Sequence, residues 1–125
     1  MTVSSSTVSQ TMAQAVRKHI ARPYYEQIEG GGKTVEGRVC RDFWGTVNVG
    51  QLINFWTNDD LAGYLVEVVA LHKAKDFGEL YTKFGHQLLP GVETAEDATT
   101  VYRKWFSDQE VATHGVVGVE LRVVV

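Results

Sequence analysis

The chain has little of what would tie it to an oxidising compartment or a bilayer. It holds one cysteine, Cys40, so no internal disulfide can form, and a reducing compartment is expected. No apolar run approaches the roughly 20 residues that span a membrane. The opening stretch, MTVSSSTVSQ, lacks the apolar core of a secretory signal. These absences predict an intracellular protein, cytoplasmic or nuclear, with no membrane partner. Metal-ligand spacing is missing too. His19, His72, His86 and His114 are scattered, without an H-E-x-x-H pattern or a cysteine pair, so neither metal nor other cofactor is expected. There is also no basic excess. A net charge of −3 argues against a surface that sticks to any polyanion.

What is present suits one domain. The 125 residues are 44% hydrophobic and 22% charged, a globular balance. A chain this long buries roughly two thirds of its surface, so it needs no staple. Its charge is uneven. Residues 1–41 carry six Lys/Arg against three acids, a local +3, while residues 42–125 carry a local −6. An acidic total is therefore compatible with one local basic site.

Residues 1–15 read as a leader and 16–125 as the folded unit. Met12–Ile20 suits a helix by propensity and equally a strand over Val16–Arg22. Pro23 opens a short helix through YYEQIEG, which ends at Gly30-Gly31-Gly32. KTVEGRVC reads as a strand, followed by a loop carrying Phe43 and Trp44 and a turn at Gly50. Gln51–Thr57 and Leu61–Lys73 alternate as two strands around the turn Asn58-Asp59-Asp60. The period then changes. Asp76 and Thr94 each precede a helical stretch, FGELYTKFG and AEDATTVYRKWF, with an acid at the capping-box distance. Ser107-Asp108 reads as a turn, and Val116–Val125 as a closing strand that needs a partner. Strands outnumber helices and alternating βα units are absent. The predicted class is α+β, a compact sheet or small barrel with helices packed around it.

The segment GGGKTVEGR stands out. Gly32-Lys33-Thr34 resembles part of a phosphate loop. That loop requires a glycine where this chain has Gln27, and a strand before and helix after, the reverse of the order here. The bare backbone of Gly30–Gly32 allows close approach of a phosphate or base. Lys33 is expected to leave that turn as a mobile charge. Thr34, Glu36 and Arg38 share one face of a strand. Glu36 and Arg38 can pair, either to present the guanidinium to an anion or simply to tie the strand to a loop. Phe43 and Trp44 can stack on an unpaired base or plug the barrel end. Of Tyr24 and Tyr25, one is expected to pack inward and the other to face the cleft. Cys40 reads as a buried thiol, and the histidines as ordinary surface or core residues, His114 being the one whose position before the last strand could bring it to the site.

Gly31-x-Lys33-x-x-Glu36-x-Arg38 fits G-x-K-x-x-E-x-R, and with the order of elements over 16–125 the chain resembles the ASCH domain family, relatives of PUA domains. The resemblance implies a small PUA-like mixed β-barrel with helices around it. It also implies a nucleic-acid partner, RNA in the first place, or a nucleoside or nucleotide. The ligand-binding residues expected are Gly31, Gly32, Lys33, Glu36 and Arg38 of the motif, with Arg41 and Trp44 from the loop beside it. Some relatives are N4-acetylcytidine amidohydrolases whose catalytic lysine matches Lys33. Their assisting threonine, three residues on, is Glu36 here, and for their acidic residue Glu93 and Glu96 are the candidates. Others are ribonucleases using Lys, Tyr and Ser, which points to Lys33, Tyr25 and Ser107 as catalytic candidates. A third implied role is a protein-partner module in a transcription or RNA-processing complex. Glu36 beside Lys33 favours the ammonium over the amine, which tilts the expectation from amide hydrolysis to anion binding.

Overall fold

The protein is described by a computed structural model over residues 15–124. The leader expected at 1–15 lies outside the described residues, apart from Ala15. Among the described residues, β-branched and aromatic residues in period-two alternation form five strands: β1 (Val16–Ile20), β2 (Val35–Val39), β3 (Leu52–Thr57), β4 (Gly63–Ala74) and β5 (Val116–Val123). They make one sheet in the order β1-β3-β4-β5-β2. β1 runs parallel to β3, and every other pair is antiparallel. The open choice between helix and strand before Pro23 is thus decided for strand. A register shift between Val68 and Ala70 leaves Val69 extra on β4, the kind of bulge that bends a sheet. The sheet curls into a half-barrel whose two edge strands, β1 and β2, are not paired with each other.

Among the described residues five helices surround it: α1 (Tyr24–Glu29), α2 (Asp42–Thr46), α3 (Phe77–Phe84), α4 (Ala95–Tyr102) and α5 (Asp108–His114), with a 3-10 turn at Gly85–Gln87. The caps read from sequence are in place. Asp76 accepts from the Glu79 amide at 2.8 Å, and Thr94 from the Asp97 amide at 3.0 Å. Three segments differ from expectation. Phe43 and Trp44 sit in α2, not in a loop. Ser107 caps α5 by accepting from the Glu110 amide at 3.1 Å, so the supposed turn opens a helix. α4 ends at Tyr102, and residues 103–105 leave it as turns.

Successive residues on β5 serve opposite faces. Val117 and Val119 join Ile53, Phe55, Tyr64, Val66 and Val68 in one core. Val116 joins Val35, Val39, Phe77, Leu80, Leu88 and Tyr102 in a second, against α3 and α4. Gly118 permits the second contact, because a Cβ there would lie 2.8 Å from the Leu80 side chain.

The free edge of β2 matters for the site. The Leu121 amide donates to the Thr34 carbonyl at 2.8 Å, and the Cys40 amide to the Gly115 carbonyl at 3.0 Å. These bonds extend the β2–β5 ladder at both ends and are six residues apart. An antiparallel ladder alternates, so Glu36 and Arg38 point their backbone groups at β5. Val35, Gly37 and Val39 point theirs away from it, to the open edge.

Candidate functional site

The glycine run turns the chain sharply. Gly31 has φ +85°, which favours glycine, and the Lys33 amide donates back to the Gln27 carbonyl at 3.0 Å. The turn aims Lys33 inward. The expected mobile charge is instead 1% exposed. Its Nζ donates to the Val35 carbonyl at 2.7 Å and to the Leu88 carbonyl, and lies 3.4 Å from Glu36 Oε1. All three ammonium protons therefore have acceptors. One of those carbonyls belongs to the open edge of β2.

Glu36, 6% exposed, is held between two cations. Arg38 Nη2 donates to its Oε2 at 3.1 Å. The same nitrogen donates to the His19 carbonyl at 3.2 Å, so Arg38 bridges the two edge strands. Its guanidinium also lies 5.0 Å from the Trp44 ring centroid. Burial pushes the Lys33 amine below its ordinary pKa, against the pull of Glu36. Burial also opposes the charge on Glu36, but Lys33 and Arg38 together outweigh it and hold the carboxyl below its usual range.

Beside this triad lies a cavity of about 290 Å³ in the seam between β1 and β2. Its polar side chains come from His19, Lys33, Glu36, Arg38, Asn58 and Tyr102, and Gly37 contributes bare backbone. Tyr24, Trp105, Phe106, Ile20 and Leu89 supply apolar wall. Trp105 is 48% exposed at the rim and meets Tyr24 edge-on, with centroids 5.8 Å apart. Tyr102 is 4% exposed, and its hydroxyl has no hydrogen-bond partner among the described residues. That hydroxyl occupies the space where a side chain on Gly37 would be, 2.6 Å from an ideal Cβ. Burial first, and Glu36 next, raise the Tyr102 pKa well above the ordinary value, so it stays a neutral hydroxyl. The same two causes raise Tyr24.

Of the residues singled out from sequence, the cavity gathers Lys33, Glu36 and Arg38. Gly31 and Gly32 are exposed in the turn before it. Trp44 touches the cavity only through Arg38. Arg41 lies 3.4 Å from Glu110, away from the wall. Tyr25 packs inward, stacked on Tyr64 at 4.4 Å, and Tyr24 faces the cleft. Ser107 serves as the α5 cap. His114, at the end of α5, is not on the cavity wall, while His19 is. Cys40 is half-buried. Tyr102, Trp105, Phe106 and Asn58 were not signalled. Tyr102 and Trp105 follow helical spacing and read as the covered side of a helix; Tyr102 is in the second core, and Phe106 packs against it. Among the described residues, no cluster of His, Cys, Asp or Glu is placed to hold a metal ion. No described helix is long and apolar enough to cross a membrane.

The low pKa of Glu36 fixes the sign of an acid effect. A carboxyl whose folded pKa lies below its unfolded one contributes stability that is full above the unfolded pKa. That stability is lost as pH falls through the folded pKa. The melting temperature of the wild type is expected to fall as pH drops below the ordinary glutamate value of 4.5. In Glu36→Gln the fall should be shallower. Parallel pH profiles of the two proteins would remove Glu36 from the acid response.

No family model matches the chain, and no curated protein sequence does. Solved structures do match. The hypothetical protein PH0355 superposes with a TM-score of 0.80 at 26% identity, covering 89% of this chain and 100% of that one. Protein PF0455 from Pyrococcus furiosus gives 0.71 at 23% identity over 89% of this chain and 98% of its own. The class is therefore an α+β domain with a curled, PUA-like sheet. Within it, the chain has the fold of ASCH domains. The ASCH domain from Lactobacillus crispatus aligns with a TM-score of 0.64 at 14% identity, over 92% of this chain and 89% of that one. ASCH from Zymomonas mobilis aligns at 0.61 and 17% identity, over 85% of this chain and 65% of that one. The resemblance stated from the GxKxxExR segment is matched in fold.

Proposed function

We propose that the seam cavity binds RNA, taking one unpaired nucleotide at a time. The observation that carries this is the combination in one cleft of a net positive triad with aromatic walls. Lys33, Glu36 and Arg38 sum to +1, and Tyr24, Trp105 and Phe106 flank them. An unstacked base needs a flat apolar partner and its phosphate needs a cation, and single-stranded RNA offers both. Arg38 is the cation suited to the phosphate. It is partly exposed, and only its Nη2 is hydrogen-bonded among the described residues. Lys33 supports the strand edge and the carboxylate, and is a positioning residue in this reading.

The test is a titration with single-stranded and duplex RNA at two salt concentrations. Single-stranded RNA is expected to bind more tightly, with affinity falling as salt rises. Arg38→Ala should weaken it about tenfold or more, roughly 1.4 kcal/mol or above. Absent binding, or binding untouched by Arg38→Ala, would overturn the proposal.

A second reading, hydrolysis of RNA or of a modified nucleoside, draws on the lowered pKa of Lys33. A neutral lysine is a base or nucleophile. The geometry weighs against it, since two carbonyls and a carboxylate favour the protonated amine. Incubation with N4-acetylcytidine and with RNA decides it, and no product from either would end this reading.

A further inference from the structure

On the open edge of β2, Gly37 is the outward residue whose carbonyl no described residue takes. Three residues of β2 direct their backbone groups to that edge: Val35, Gly37 and Val39. The Val35 carbonyl is taken by the Lys33 ammonium at 2.7 Å. The Val39 carbonyl is taken by the Arg41 amide at 2.9 Å. Between them Gly37, itself buried and on the cavity wall, makes no hydrogen bond on that side to any described residue. Its N–H and C=O project to the same side of the strand. Next to it is the Tyr102 hydroxyl, also without a partner among the described residues. Buried polar groups are ordinarily satisfied, so an unpaired set lining a cavity calls for a ligand that completes it.

We propose, resting on the reading of this cleft as an RNA site, that the Gly37 amide and carbonyl read the edge of the bound nucleobase, with the Tyr102 hydroxyl as a third contact. An adjacent donor and acceptor on one extended residue complement the adjacent acceptor and donor on the pairing edge of a nucleobase. A protein strand is the other usual occupant of a free sheet edge. It needs several consecutive open donors and acceptors, and the carbonyls on both sides of Gly37 are taken by Lys33 and the Arg41 amide. Gly37 must be glycine for this arrangement, because any side chain would displace the Tyr102 hydroxyl. Recognition here thus falls to the base, with Arg38 left to the phosphate.

The test uses backbone amide signals of the whole chain in solution. In the free protein the Gly37 amide should exchange with solvent at least about tenfold faster than those of Glu36 and Arg38, which face β5. The four ribonucleoside 5′-monophosphates and ribose 5-phosphate are then titrated in turn. At least one nucleotide should shift and protect the Gly37 amide, and ribose 5-phosphate should bind about tenfold more weakly. The counterpart of the tightest nucleotide methylated on its pairing edge should lose most of that advantage. Tyr102→Phe should keep or raise the melting temperature, since it removes an unpartnered hydroxyl, and should weaken nucleotide binding about fivefold or more. If RNA and nucleotides bind but leave Gly37 silent, or if ribose 5-phosphate binds equally well, base reading at Gly37 is overturned and RNA binding stands. If neither RNA nor any nucleotide binds, both fall together.

Discussion

Replacing Lys33 by methionine is expected to cost about 3–5 kcal/mol of folding stability, the range for breaking a buried ion pair from one side. Methionine fills much of the same volume, so the loss comes from charge and hydrogen bonding. Glu36 would keep Arg38 alone, and the carbonyls of Val35 and Leu88 would lose their donor inside the protein. Urea denaturation measures the cost directly. A domain of ordinary stability has about 5–15 kcal/mol in all, so the variant should sit near the limit of folding at 37 °C. The double variant Lys33→Met with Glu36→Gln separates the two contributions. It should be less destabilised than the sum of its single changes, by at least about 1 kcal/mol, because the stranded carboxylate is gone. A single-variant loss below about 1 kcal/mol would show that the ammonium is dispensable to the fold.

Phe77→Ala is expected to cost a similar amount, about 3–5 kcal/mol, by removing a buried aromatic ring. Phe77 is buried in the second core and stacks on Tyr102, with centroids 3.8 Å apart and planes within 9°. Phe106 lies on it at 5.6 Å. The ring therefore fixes the side chain whose hydroxyl lies against Gly37. Two readouts follow. Denaturation reports the lost packing. The near-ultraviolet circular dichroism of the tyrosines should weaken as Tyr102 gains freedom. Phe77→Leu keeps more of the volume and should cost less than half as much. If alanine and leucine cost the same, stacking rather than volume would be the main contribution.

Much of this architecture was legible in the sequence because the rules behind it are local. Alternation in QLINFWT and YLVEVVAL marked β3 and β4, and the acid three residues after Asp76 and Thr94 marked two helix starts. The same rule was available at Ser107, where Glu110 stands three residues on. It was missed because the following DQEVATH has too few apolar residues to set a period. α2 is five residues long, too short for any periodicity to register. The three motif residues border one cavity, but Lys33 is buried where a mobile charge was expected. A lysine after glycines reads as solvated, and only the fold brings the Leu88 carbonyl, 55 residues away, against it. Tyr102 and Trp105 were hidden for a related reason. Helical spacing reports which side of a helix is covered, and it carries no record of which covered side chain borders a cavity.

The bond from Lys33 to the Val35 carbonyl has one more consequence. An open strand edge is a template on which a second copy of the chain can pair, and β2 ends the sheet with such an edge. The lysine blocks the first position, the Arg41 amide blocks the last, and Arg38 lies across the seam to the His19 carbonyl. With the Val35 and Val39 carbonyls taken, a strand added at β2 would lose two of its ladder bonds. The residues that shape the cavity thereby also guard the β2 edge against a strand from a second copy.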